Sequence, residues 1–444
     1  MVKKIIGGVL LGTMSLLAQA GETLEEALKE SKWSGQLRSF YINRDWSGSV
    51  GDGITDRDAL AAGGHLRGET GKWHGVSFGV GFYSSNGLGV NDDNPAAVDG
   101  TLFDDDKNSY SILGEAYVKF SGESSSFTAG RQKLTTPFLG TDDARMLPTL
   151  FMAYTYENTG FENTTLTLSH VNKMAAGSFS NAYPQIGLNG GDITAGGALS
   201  LASGYGLNNE SARFMNIGNY TSGINNNGLF LGGVKHKFSD TLSLQIWDYY
   251  ATDLFNTIYA QADFKFATQG LAKPFFSAQL INQSGVGDED LGRVDGNYFA
   301  IKAGVGFKNI SGYIAYSDSG SNNSAATNGG ILAPWAGMPA FTQAMATRHQ
   351  FFADTDAFKI GGRYNFNALG VNLTFDLYHA SFDIGSDNAY VNGTDFTAKE
   401  SGFDLIFKPK NINNLTLRFR GNFPSDFRPG LDWAEYRFIL NYNF

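Results

Sequence analysis

The chain contains no cysteine in its 444 residues. No disulfide and no thiolate metal site therefore holds it together. Apolar runs are equally scarce: beyond residue 20 nothing approaches the ~20 consecutive apolar residues that a membrane-spanning helix needs, so a helical membrane protein is excluded. Positive charge is also short. With 33 Lys and Arg against 43 Asp and Glu the formal net charge is −10, which removes the basic surface expected of a nucleic-acid binder. Only 10 prolines interrupt the chain, whereas glycine reaches 56 and aromatic residues 14 %. A polar average with so many aromatics suits a sheet that shows half of each strand to lipid and hides the other half.

The first twenty residues, MVKKIIGGVLLGTMSLLAQA, carry a basic start at Lys3 and Lys4, a short apolar run and a small-polar-small triplet. That is the pattern of a secretory signal peptide, with cleavage expected after Ala20. A permanent anchor is the weaker reading, because the apolar run is short. Residues 21–34 are then expected to form a periplasmic N-terminal segment, and residues 35–444 a single transmembrane domain.

Alternation over about ten residues is the signature of a tilted spanning strand, and it recurs along the chain. Val76, Phe78, Val80 and Phe82 alternate with Ser77, Gly79, Gly81 and Tyr83. Ile112, Ala116, Val118 and Phe120 oppose Glu115, Tyr117 and Lys119, and Phe299, Ile301, Ala303, Val305 and Phe307 oppose Tyr298 and Lys302. The last stretch sets Tyr436, Phe438, Leu440, Tyr442 and Phe444 against Glu435, Arg437, Asn441 and Asn443. A soluble β-sandwich would alternate too. Its connections would not sort as these do, into tight turns (238–241, 308–310, 367–370) and long polar excursions (84–109, 172–227, 318–355, 380–400). Counting from a first strand at about 35–44 gives eighteen strands. The expected fold is an all-β, 18-stranded antiparallel transmembrane β-barrel. Residues 172–227 are too long for a simple loop and either cover the mouth or conceal a hairpin.

Parity divides the charges. An unpaired charge on the lipid face costs ~2–4 kcal/mol at the midplane, so the apolar face of each strand must be the outer one. Lys119, Lys235, Lys237, Lys265, Lys302, Lys359, Arg363, Lys408, Arg418, Arg420 and Arg437 then point inward, against Glu115, Asp263, Asp376, Asp404 and Glu435. Arg418, Arg420 and Arg437, with Arg38 brought alongside by closure, form a basic track down one wall. Guanidinium groups stay charged and grip carboxylates bidentately. The competing reading is that these arginines simply pair with Glu435 or Asp376, and that Lys237, Lys265 and Lys408 are solvated at the rim.

The stretch GRQKLTTPFLGTDDARMLP, residues 130–148, breaks the pattern. Pro137 and Pro148 cannot sustain a central ladder, so the chain must leave the wall here. If it turns inward, Asp142 and Asp143 supply an acidic side to a constriction, with Arg145 pairing to one of them. A solvent-exposed loop with locally paired charges is the plainer alternative. Arg131 stands where this segment begins, yet its parity with Phe127 and Ala129 points it outward.

Catalysis has little support. GVSFG at 75–79 matches G-x-S-x-G, but that motif needs a sharp strand-to-helix turn at Ser77, and alternation continues through it. The histidines, His65, His74, His170, His236, His349 and His379, have no metal-ligand spacing. Loop acids such as Asp104, Asp105, Asp106, Asp288, Glu289 and Asp290 suit calcium chemically but lack the EF-hand pattern. No enzyme, metal or cofactor is expected. An adhesin or structural barrel with acidic outer loops is a third class.

The residues LRSFYINRD (37–45), the stretch 130–148 and the closing LTLRFRGNF and EYRFILNYNF resemble the outer-membrane porin D family of substrate-selective channels. The segment ETLEEALKES is similar to the start of porins from epsilon-class proteobacteria. What the resemblance implies is an inward-folded third extracellular loop and passive passage of small carboxylates or related nutrients along an arginine ladder. Carried onto this chain, the ladder comprises Arg38, Lys302, Lys359, Arg363, Arg418, Arg420 and Arg437, and the constriction loop Arg131, Asp142, Asp143 and Arg145. A general diffusion porin without a substrate site is the runner-up. Expected partners are small solutes, outer-membrane lipid and lipopolysaccharide, and the barrel assembly machinery. No nucleic acid is expected, and the oligomeric state is a monomer or homotrimer.

Overall fold

The structure, a computed structural model, describes residues 23–48, 55–104, 106–141, 144–177, 212–391 and 393–444. Eighteen strands build the wall: β1 Lys32–Gly48, β2 Arg57–Glu69, β3 Val76–Asn86, β4 Tyr110–Ser121, β5 Ser125–Gln132, β6 Leu150–Asn158, β7 Thr164–Ala175, β8 Leu229–Lys237 and β9 Leu242–Ala251. The second half comprises β10 Phe255–Lys265, β11 Ala272–Gly285, β12 Asp295–Phe307, β13 Ile310–Ser319, β14 Thr355–Asn365, β15 Leu373–Ile384, β16 Phe396–Phe407, β17 Leu415–Ser425 and β18 Leu431–Asn443. Each pairs antiparallel with the next. β1 pairs with β18 from Gln36↔Asn443 to Gly48↔Leu431, which closes the ring. A two-residue stretch, Met215–Asn216, extends the β7 edge and belongs to a loop rather than to the wall. With residues 178–211 outside the described residues, the remainder of the long excursion is this stretch and a short helix, Ile217–Ser222. A helix at Leu24–Lys29, closed by a Thr23/Glu26 capping box, precedes the first strand.

Exposure along the strands is inverted relative to a soluble protein. In β3 the apolar residues Phe78, Val80 and Phe82 are 42, 41 and 56 % exposed, while Ser77, Tyr83 and Ser85 on the other face are buried. The same inversion leaves Ile301, Ile314, Ile360, Leu377 and Phe438 exposed. A face of large apolar side chains this extensive is stable only against lipid. No helix among the described residues is long and apolar enough to cross a membrane.

The apolar core therefore lies inside the ring, and the loops supply much of it. Residues 133–149 meet residues 320–354 at a bridge between Leu139 and Ala336. There Gly140 N–H donates to Trp335 O at 3.4 Å and Gly337 N–H to Phe138 O at 3.2 Å. A Cβ on Gly337 would sit 2.2 Å from Phe138 C and 2.4 Å from Pro137 O, both rigid backbone atoms. Phe138 packs against Tyr249, Tyr259 and Phe351. Trp335 stacks on Phe255 at 5.3 Å and donates to Thr221 Oγ1 at 3.1 Å.

One imidazole joins three outer loops. His349 is fully buried among Phe352, Phe382, Tyr390, Phe396 and Phe427, with ring centroids 4.5–6.5 Å away. Its Nε2 lies 2.7 Å from Phe427 O. A carbonyl only accepts, so the neutral ring donates there. Burial pushes the imidazole pKa down from 6.5 to about 3. Because the folded value is the lower one, this packing is at full strength above pH ~6.5. It is lost progressively as the pH falls from there toward about 3.

Two outcomes are expected. Gly337→Ala separates the two loops, seen as faster proteolysis within 133–149 and 320–354 while the barrel keeps its heat-modifiable migration on gels. Lowering the pH from 7.5 to 4.5 speeds cleavage in loops 320–354, 385–395 and 426–430 of the natural chain. In His349→Phe that pH dependence disappears.

Candidate functional site

Strand register lines up five charged residues on the luminal face. Arg363 is opposite Asp376, Asp376 opposite Asp404, Asp404 opposite Arg420, and Arg420 opposite Arg437. The row thus crosses β14 to β18 without interruption. Two carboxylates directly opposite would repel, and the arginines on either side offset this. Arg363 donates from Nε and Nη2 to Asp376 at 2.5 and 3.0 Å. Arg418, two residues from Arg420 on the same face, donates from Nε to both Asp404 oxygens at 2.8 and 2.9 Å. Arg420 Nε lies 3.3 Å from Asp404 Oδ2. That ion pair is the contact of Arg420 with an acid among the described residues, and its two terminal nitrogens carry no hydrogen bond there. With Arg437 taken up by Glu435, three arginines against two carboxylates leave this wall basic, with one open guanidinium fork.

Arg437 and Arg38 belong to a different arrangement. Glu435, buried beside β1, receives Arg44 at 2.9 and 3.0 Å, Arg145 at 3.2 Å, and Arg437. Arg44 also reaches Asp99 at 3.3 Å, and Arg145 Nε donates to Thr101 Oγ1 at 3.0 Å. Arg38 donates to Asn441 Oδ1 at 2.8 Å and to the Arg145 carbonyl. All these groups except Asn441 are buried. Burial, together with the neighbouring Arg437, pushes the Arg145 guanidinium below the usual arginine range, and Glu435 and Asp99 oppose that shift. For Arg38 and Arg437, internal pairing is what the structure provides. Residues 133–149 thus touch Glu435 on β18 at Arg145 and Tyr249 on β9 at Phe138, strands on opposite sides of the ring.

The two lysines of the expected ladder face residues 320–354. Lys302 Nζ lies 4.3 Å over the Phe341 ring, and Lys359 donates to Gln343 O and lies 4.7 Å over Tyr378. Beside them Glu400, fully buried, accepts the backbone N–H groups of Met345, Ala346 and Thr347 at 2.9, 3.1 and 2.6 Å, and the Tyr378 hydroxyl. The neighbouring strands β10 and β11 are amide-rich. Gln279 donates to Tyr259 Oη and Gln261 Oε1 at 3.0 and 2.9 Å, and Gln261 donates to Asp263 at 2.7 Å.

Arg131 is a correction to the constriction set. It stands one residue before the end of β5 with the outward parity its sequence indicated, in register with Ala116 and Met152. Pairing between β4 and β5 stops at that residue, and Arg131 Nη1 donates to the Leu113 carbonyl, just beyond the last pair, at 2.8 Å. It closes a breach in the wall. Asp142 and Asp143 lie outside the described residues. Ser77 sits within β3, 3.4 Å from Glu69, with no helix following. Among the described residues no group of three or more His, Asp or Glu is placed to hold a metal ion. Sequence reasoning missed Arg44, Asp99 and Glu400. Arg44 shares the parity of Arg38, and Glu400 that of Asp404, so both carried a signal. Asp99, in a loop, had none.

Glu435→Gln removes the carboxylate shared by three guanidinium groups. Breaking a buried pair in this way costs about 3–5 kcal/mol, so the folded barrel is expected to unfold at distinctly lower temperature in a gel-shift series. Asp376→Asn, at the more exposed end of the row, is expected to shift far less.

Comparison with known proteins agrees with this geometry. The solved structure of OccK9 (OpdG) from Pseudomonas aeruginosa superposes with a TM-score of 0.76 at 19 % identity, covering 95 % of this chain and all of that one. OpdK from the same organism, solved with vanillate, gives 0.74 at 16 % over 94 and 99 %, and OccK5 (OpdH) gives 0.70 at 16 % over 94 and 99 %. No curated protein matches the chain. Residues 25–444 match the family described as outer membrane porin, OprD family. A closed wall of alternating strands, a basic luminal row and a match over nearly the whole length lead to one assignment: this chain is a member of the OprD family of outer membrane porins.

Proposed function

We propose that the barrel passes small carboxylate-bearing solutes passively across the outer membrane, with Arg418, Arg420 and Arg363 as the wall they follow. The observation that carries this reading is the Arg420 fork, whose terminal nitrogens have no hydrogen bond among the described residues. A carboxylate fits that fork bidentately, and the nearby Asp404 weakens the grip enough for release, as conduction requires. Vanillate, found with the related OpdK, is itself a carboxylate, which supports the same solute class here. Contacts from Phe138 and Arg145 to opposite walls support residues 133–149 as the narrowing element, with Asp142 and Asp143 as its acidic side.

Export through the leader with cleavage after Ala20, insertion by the barrel assembly machinery, and a monomeric or trimeric state remain parts of this reading. So does an epsilonproteobacterial lineage, supported by the ETLEEALKES segment. A general diffusion porin would share the basic wall but lack saturable uptake.

In planar bilayers at 0.1 M salt, where the Debye length is ~10 Å, the natural channel is expected to prefer anions. Arg418→Ala with Arg420→Ala should lower the anion-to-cation permeability ratio roughly two- to fivefold. An unchanged reversal potential in that double variant would remove the arginine wall from the mechanism. Linear, non-saturating carboxylate uptake into liposomes would favour the general porin.

A further inference from the structure

The outward position of Arg131 has a partner. In register, Arg131 is opposite Met152 and Met152 opposite Lys173. Met152 lies between the buried, inward Phe151 and Ala153, so the row containing Arg131 and Lys173 faces out of the barrel. Lys173 is exposed and has no acidic partner among the described residues. Arg131 uses one donor on Leu113 O and lies 4.5 Å under the Phe214 ring, which leaves most of its five N–H groups uncommitted.

Depth in the membrane follows from the neighbouring row. Two residues nearer the middle of the wall, Tyr154 is opposite His170 and His170 opposite Phe230. Their rings stack outward with centroids 6.4 and 4.2 Å apart. Such aromatic belts mark the membrane–water interface. The basic row stands about 7 Å further toward the long loops, two strand residues on, which is the level of lipid headgroups. The outward-facing residues of strands β4 to β7 include no carboxylate. Elsewhere on the rim the sign reverses: Asp318, Asp356 and Asp383 stand in register on β13, β14 and β15.

We propose that Arg131 and Lys173 form an outward-facing site for the phosphate of an outer-leaflet lipid headgroup. The two residues stand two strands apart, ~10 Å, a span that two long side chains converging on one phosphate can bridge. The guanidinium supplies paired donors and the ammonium a mobile point charge.

The test uses the full chain in vesicles of zwitterionic phosphatidylcholine doped with a bisphosphorylated diglucosamine lipid, or with the same lipid dephosphorylated. Lipid retained after detergent extraction is read by native mass spectrometry. The natural protein is expected to retain the phosphorylated lipid preferentially. Lys173→Gln should lower retention about fivefold, the loss of one interfacial cation, and Lys173→Glu should lower it further. Arg131→Lys keeps most of it, and Lys237→Gln, at the opposite end of the wall, changes nothing. Three results would overturn the site: equal retention of both lipids, retention unaffected by Lys173→Glu, or pairing of two protein copies in place of lipid. Displacement of the lipid by millimolar inorganic phosphate would mark a free-anion site and overturn the lipid assignment.

Discussion

Hydrocarbon offers no hydrogen bonds, and the whole architecture follows from that. Every backbone N–H and C=O in the wall must be paired within it, so the sheet has to close, and the Gln36↔Asn443 to Gly48↔Leu431 pairing is what closes it. Closure fixes two faces, and the faces fix which side chains meet lipid. Charges that would cost several kcal/mol outside are collected inside, where they must then find partners or solutes. The luminal chemistry is a by-product of keeping the outer face apolar.

Inside, pairing and availability compete. Around Glu435 pairing prevails: Arg44, Arg145 and Arg437 converge on one carboxylate and pin residues 133–149 to the wall. Around Asp404 it is incomplete, because Arg418 takes both oxygens and Arg420 keeps only a 3.3 Å contact. The same side-chain type thus acts as a rivet in one place and as an open contact surface in another. Glu400 shows the reverse case, a carboxylate that seats a loop by accepting three backbone amides rather than a guanidinium.

Period-two alternation made the wall legible from sequence, because a strand between lipid and water has no other way to distribute its side chains. It also placed Arg363, Arg418, Arg420 and Arg437 on the inner face. Parity says which face a residue takes but not what reaches it, so the capture of Arg38 and Arg437 by Glu435 was out of reach. Glu400 was lost for a related reason: residues 380–400 read as a loop, whereas β15 extends to Ile384 and β16 begins at Phe396. Loop contacts such as Arg44 with Asp99 or Gly337 with Phe138 have no period at all. Arg131 shows parity outperforming proximity: its nearness to the departing loop suggested one role, and its face gave another.

The register row has a slope. Strands in such barrels tilt by ~35–45°, so residues directly opposite one another on neighbouring strands do not share a height. Arg363 lies two residues from the inner end of its strand, Asp376 and Asp404 three, Arg420 five and Arg437 six. With strands ~4.8 Å apart, each step across the wall rises by about 3 Å. What looks in a pairing diagram like a level belt is a ramp, winding from the middle of the wall down to the inner mouth. A solute passed from one arginine to the next would turn around the barrel as it descends, and handedness becomes part of what the channel can distinguish.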